Sequence, residues 1–210
     1  MPNWVRCVVS GIGKQDVLQY ISAYDTICGD EEYLDFNKII PMPEGLDIES
    51  GSRLNRGLDY LSKHPVDTQM IKGMSESDKD DLRLGLQGLI NYLNCGFTDW
   101  YDWCWENWGT KWSSHDVIFY EDCIEFSTAW SCPVPVLQKL SELLQREISV
   151  IYADENCGYN TGELTFENGD ITYEYYPDGG SQEAYKFYEK AWGCDIDEWE
   201  DEDIPNGYTK

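Results

Sequence analysis

This sequence predicts an α+β fold of ferredoxin-like type: a split βαβ antiparallel sheet, with a helical insertion and an extra C-terminal hairpin. Three observations lead there. Short β-branched and aromatic segments alternate with stretches whose apolar residues recur every three or four positions. With the middle of the chain set aside, the order reads β-α-β, β-α-β. At 210 residues, 41% of them hydrophobic and 14% aromatic, the chain is long enough and apolar enough to bury a core.

The elements follow in order. Trp4 to Ser10 is a strand ended by Gly11 and Gly13. Val17, Leu18, Ile21 and Tyr24 mark one face of a helix over Lys14–Tyr24, and Leu34–Ile40 is a second strand closed by Pro41 and Pro43. These make residues 1–43 the first βαβ half. Residues 44–112 are the helical insertion. It holds a helix over Ser52–Lys63 and a stronger one capped from Ser75, whose stripe is Leu82, Leu86, Leu89, Ile90 and Leu93, stopped at Gly96. Thr98 is placed to cap a third. Residues 113–193 complete the fold with a hairpin (Val117–Tyr120 and Cys123–Thr128) and a helix capped by Ser131 with prolines at 133 and 135. Then come a strand at Ile148–Tyr152, a second hairpin through Asn168-Gly169 and a short helix over Gln182–Trp192. Residues 194–210 form an acidic tail.

Forty acidic side chains face fifteen basic ones, a net charge of −25. That excludes direct nucleic-acid binding, which needs Lys and Arg to neutralise phosphates. No apolar run reaches the roughly 18–20 residues of a membrane span, and the N-terminus lacks a signal-peptide pattern, so the expected location is cytoplasmic. None of the eight cysteines forms a C-x-x-C pair, and His64 and His115 stand apart from them. The reading is reduced, mostly buried thiols, with a structural disulfide set as the alternative; no metal or cofactor is expected.

Met1-Pro2-Asn3-Trp4, Asn107-Trp108-Gly109-Thr110-Lys111-Trp112 and Thr128-Ala129-Trp130-Ser131 occur in an order and spacing that resemble the YubB-type family. Its members are encoded largely by phages, plasmids and gut bacteria and end in a domain classed as ferredoxin-like. The likeness spans roughly residues 1–40 and 95–165. Cys132 stands where a second proline is common, and Val5 where a Cys often follows the Trp. The resemblance implies a fold and a mobile-element setting, and no catalytic mechanism.

Five indoles, Trp100, Trp103, Trp105, Trp108 and Trp112, fall within thirteen residues. The plain reading is a plug sealing the insertion onto the sheet; the sharper one is an aromatic platform for a carbohydrate or small planar ligand, with Trp105 facing outward. Ser113, Ser114, His115 and Asp116 are adjacent in an extended segment, so they cannot converge as a triad. Asp154 to Asn160 has the glycine and twelfth position of a calcium loop wrongly placed. Carboxylate pairs are too common here to single out a carboxylate- or metal-dependent enzyme.

The acids are therefore the leading signal. From Asp195 to Asp203 seven of nine residues are acidic: Asp195, Asp197, Glu198, Glu200, Asp201, Glu202 and Asp203. Spread evenly, the net charge is about four times too dilute to pass for DNA, so mimicry needs the acids on one face. The expected function is a non-enzymatic accessory protein of mobile-element type, using these acids to bind a basic partner such as a host defence or nucleic-acid-binding protein.

Overall fold

Strand β1 (Trp4–Ser10) alternates Val5, Cys7 and Val9, all essentially inaccessible, with Trp4, Arg6 and Val8 on the other face. Such a strand needs partners on both edges and cover on its apolar side. The computed structural model, which describes residues 3–26, 29–64, 67–200, 205 and 208, supplies both. The chain divides into two compact units, Met1–Pro41 with Asn107–Lys210, and Met42–Glu106.

The larger unit is a ferredoxin-like domain. Its sheet adds β4 (His115–Phe119), β5 (Cys123–Ala129), β6 (Ile148–Asp154), β7 (Thr161–Glu167) and β8 (Asp170–Tyr175). The order is β4-β5-β1-β6-β7-β8, antiparallel throughout. Ile124, Phe126, Val150, Leu164 and Phe166 share the buried face with the β1 valines. Helix α6 (Val134–Leu144) meets it through Val136, Leu137 and Leu140. On the opposite face α7 (Gln182–Trp192) lies against β1, β6 and β7, and Trp192 Nε1 donates to the Ala153 carbonyl at 3.2 Å. Arg6, on that second face, is tolerated because Glu125 pairs with it at 2.9 Å and the Asp116 carbonyl accepts from it at 2.7 Å.

The first βαβ half expected over 1–43 is built differently. Residues 14–24 form two 3₁₀ turns, Lys14–Asp16 and Leu18–Tyr20, and then strand β2 (Ile21–Thr26). Val17 and Tyr20 are buried while Leu18 and Tyr24 are exposed, a period of three rather than 3.6. Strand β2 pairs with β3 (Gly29–Leu34) in a separate two-stranded sheet. Within the expected strand 34–40, Asp35 accepts from the Asn37 amide at 3.0 Å and caps a single turn, α1 (Phe36–Ile39). The strand that completes the first βαβ is therefore β4, reached only after the helical unit.

That unit contains α2 (Ser52–Lys63), α3 (Thr68–Gly73), α4 (Glu76–Cys95) and most of α5 (Trp100–Trp108). Ser75 caps α4 and Gly96, at φ +83°, ends it. The buried face of α4 is not the leucine stripe. It is Asp81, Leu82, Gly85, Gly88 and Asn91, while Leu86, Leu89, Ile90 and Leu93 are exposed. The cause is close approach: a Cβ on Gly57 of α2 would sit 1.9 Å from the Asp81 carbonyl oxygen, and one on Gly85 2.4 Å from the Gly57 carbonyl carbon. Polar anchors fix the contact. Asp81 is bracketed by Arg53 and Arg56, each at 2.8 Å, and Asn91 donates to the Gly45 and Thr98 carbonyls. Two expected caps differ too: Asp99, not Thr98, accepts from the first turn of α5, and Ser131 donates to the Gly109 carbonyl instead of capping α6. Among the described residues no helix is long and apolar enough to cross a membrane.

Gly85→Ala forces backbone against backbone, and overpacking of this kind costs about 3 kcal/mol. The urea midpoint of the helical unit is expected to fall accordingly, while an alanine at the open position Gly73 leaves it nearly unchanged.

The guanidiniums of Arg56 and Arg53 hold the Asp81 carboxyl below its usual range. This stabilisation is complete above the unfolded-state value of about 3.9 and is lost as pH falls through the depressed folded value. In urea titrations Asp81→Asn is expected to be weaker than wild type at pH 7, with the gap closing toward pH 2.

Candidate functional site

The end of α7 sets up the most structured group of acids. Ser181 caps the helix, accepting from the Ala184 amide at 3.1 Å, and Gly193, at φ +62°, ends it in the left-handed conformation that favours glycine. The chain then folds back. Glu189 Oε1 accepts from the Ile196 amide at 2.9 Å, Ile196 is wholly buried, and Asp195 caps a 3₁₀ turn over Ile196–Glu198. Trp199 packs edge-on against Tyr188. Tyr208 returns to donate its hydroxyl to Asp197 at 2.9 Å, its ring edge-on to Tyr185. Burial, then the bond to Asp197, pushes the Tyr208 phenol up to about 12, so it stays a donor at any physiological pH.

Four of the seven acids singled out from sequence, Asp195, Asp197, Glu198 and Glu200, are thus exposed on a short anchored ledge. Asp201, Glu202 and Asp203 lie outside the described residues.

The charge is unevenly divided. The larger unit carries 28 acids and 9 bases, the helical unit 12 acids and 6 bases. In the helical unit Arg53, Arg56, Lys63, Lys79 and Arg83 are all ion-paired to neighbouring acids, so most of its cations are spent locally.

A second acidic feature was not legible in the sequence. Strand β4 carries an irregularity between His115 and Ile118, where Asp116 adopts φ +49° with its carbonyl held by Arg6. A cavity of about 390 Å³ opens there, lined by Arg6, Tyr24, Glu31, Glu32, Tyr33 and Asp116. Donation to Glu31 at 2.7 Å, with Asp116 nearby, raises the Tyr24 phenol above its ordinary value. The Asp30-Glu31-Glu32 run was visible, but nothing local joins it to Asp116.

The tryptophans are covered to different degrees. Trp103 and Trp108 are buried, and Trp108 Nε1 donates to the Ile40 carbonyl at 2.9 Å. Trp100 and Trp105 are half-buried. Trp112 instead meets Trp4 and His115, with ring centroids 6.2 Å from each, and its Nε1 is buried without a hydrogen-bond partner.

The three strings behind the family resemblance converge at this end of the sheet as a lock. The Trp130 amide donates to the Asn3 carbonyl, Thr110 donates to Ala129, and Lys111 lies over the rings of Trp112 and Trp130. Buried Asp154 accepts from Asn3, Asn156 and Asn160. Residues 154–160 are the turn this carboxylate closes. Ser113 and Ser114 are likewise occupied, both donating to the Leu34 carbonyl.

Burial pushes the Cys104 thiol up to about 12 and the Cys157 thiol up to about 11, and burial beside Cys7 raises the Cys132 thiol as well. These thiols are protonated at neutral pH and carry no nucleophile. All seven cysteines among the described residues are free. Among the described residues no group of three His, Cys, Asp or Glu side chains is placed to hold a metal ion.

Residues 107–204 match the family model of the ferredoxin-like domain in Api92-like proteins. The crystal structure of protein Api92 from Yersinia pseudotuberculosis is similar at 12% identity and a TM-score of 0.39, covering 85% of this chain and 99% of that one. No curated protein matches.

If Ile196 pins the ledge, Ile196→Ala loosens it locally, at a cost of about 2–3 kcal/mol. Amide exchange at Ile196, Glu198 and Trp199 is expected to quicken by about 30- to 100-fold, with β1, β5 and β6 unchanged. Unaltered exchange in the ledge would show that the anchor lies elsewhere.

Proposed function

We propose that this is a non-enzymatic binding protein whose acidic ferredoxin-like unit docks a basic surface of a partner protein, with residues 195–200 as the principal contact. The observation that carries the proposal is the anchoring of the ledge. Its backbone is held by a buried Ile196 and the Glu189 bond, with Tyr208 on Asp197, so part of the entropy of ordering it is already met before a partner arrives.

The accessible surface of 11860 Å² gives one net charge per about 470 Å², against roughly one per 100 Å² for duplex DNA. Imitation of a nucleic acid by the whole surface is too weak by that measure. A local patch is the better design: carboxylates at fixed spacing, with the surrounding excess negative field speeding encounter. The resemblance to the YubB-type family supports a mobile-element setting, in which the basic partner is a host defence or nucleic-acid-handling protein and the location is the cytoplasm.

The test separates charge from fold. Truncation after Gly193 would uncover the pocket of Ile196, so the informative variant replaces Asp195 and Asp197 by Asn and Glu198 and Glu200 by Gln. Full-length protein is expected to capture basic proteins from host lysate in about 50 mM salt and release them near 500 mM, and the neutral variant to capture at least about tenfold less. Equal capture by the variant, with the same salt response, would overturn the assignment of the ledge.

A further inference from the structure

The exposed side of α4 is out of keeping with the rest of the molecule. Leu86, Leu89, Ile90 and Leu93 are 41%, 42%, 50% and 75% accessible. With the buried Leu82, Leu86, Leu89 and Leu93 repeat at steps of four, three and four along one stripe of a 20-residue helix, and Ile90 lies beside them. A four-residue stripe of this kind on the surface is a cost unless something covers it. The stripe is not left over from a poor pattern: α4 already buries a different face, through Gly85 and Gly88, against α2.

We infer that this stripe is the contact between two copies of the chain, with the α4 helices crossing antiparallel about a two-fold axis near Leu89 and Ile90. Three features select a second copy. The first is charge. From Leu84 to Thr98 the chain has no Asp, Glu, Lys, Arg or His, fifteen residues in a protein that carries 55 charged ones. The face therefore offers a basic partner nothing to pair with, and it is one place where two strongly acidic molecules can touch without opposing carboxylates. It also belongs to the helical unit, whose net charge is 6 − 12 = −6 against 9 − 28 = −19 for the larger unit.

The second feature is spacing. A stripe at heptad intervals is self-complementary: under the two-fold axis Leu86 of one copy faces Leu93 of the other, and each knob meets a gap of the same kind. The charged first turns, with Glu76, Asp78, Lys79, Asp80 and Arg83, then lie beyond the end of the partner helix.

The third is area. The four exposed side chains present roughly 400 Å², and with the flanking stem of Asn94 two copies bury about 1,000 Å². That is the small end of specific interfaces. It implies a reversible dimer rather than an obligate one.

Sedimentation equilibrium of the full chain, from about 1 to 500 μM, tests this. The expected result is a monomer–dimer equilibrium that tightens as NaCl rises from about 0.1 to 0.5 M, because salt screens the repulsion of two net charges of −25 while leaving apolar contact intact. This is opposite in sign to the salt response of the acidic ledge, so the two assignments fail separately. Leu89→Glu with Leu93→Glu, both at solvent-facing positions, is expected to weaken dimerisation by about 100-fold with an unchanged circular dichroism spectrum. A single monomeric species across the range in 0.5 M NaCl, or a dimer indifferent to the double substitution, would overturn the inference.

Discussion

The larger unit depends on β1 having hydrogen-bonded partners on both of its edges. Val5, Cys7 and Val9 are buried only because β5 and β6 flank them and α6 closes over the face. Putting β1 in the middle also commits its other face. Arg6 must be neutralised there, and it is, by Glu125 and the Asp116 carbonyl. Its demand for an acceptor helps hold Asp116 in the left-handed conformation, which in turn opens the acidic cavity beside Tyr24 and Glu31. Helix α7 covers part of the same face, and the turn that leaves α7 places the ledge. The acidic features of this unit are thus downstream of a strand that contains no acid.

The helical unit rests on a comparable restriction, the meeting of α2 and α4 at Gly57 and Gly85. Removing side chains at the crossing brings backbone into contact with backbone and makes Asp81 and Asn91 affordable inside, since each finds its full set of partners within reach. Once that face is chosen, helix geometry leaves the leucines outside. The exposed stripe is a consequence of which surface packs more closely, not of any shortage of apolar residues.

Much of the architecture was legible. The hairpins, α2, α4 with its Ser75 cap, α6 and α7 follow from periodicity and turn residues that act over a few positions. The failures have one physical source, namely contacts between distant segments. Apolar spacing marks α4 as a helix but cannot say that a glycine twenty-eight positions earlier will meet Gly85 and reverse its faces. Val17 and Tyr20 fit a helix as well as two 3₁₀ turns until the carbonyl of Tyr120 takes the amide of Lys14. Of the candidate site, the acidic run at 195–203 was plain, and its anchors were in view as the two residues that interrupt it, Ile196 and Trp199. Their role was hidden because a charge run reads as solvated unless its apolar members have somewhere to go, and the receiving surface is α7. The cavity at Asp116 needed strands β2, β3 and β4 together.

Two surfaces of opposite character coexist on one chain because they act over different distances. Carboxylates on the ledge attract across water, out to a Debye length of about 8–10 Å at moderate salt, and beyond that they are nearly silent. The uncharged part of α4, Leu84 to Cys95, is about 18 Å long at 1.5 Å per residue, so its centre lies about one screening length from either end. A partner approaching that centre meets the net −25 weakened by screening, and side chains that gain only by leaving water. Scattering even two or three of the acids into residues 84–98 would have cost the fold little, since Leu86, Leu89, Ile90 and Leu93 already face solvent. That they are aliphatic instead, in so acidic a protein, is what solubility alone does not explain and what contact with a like surface does.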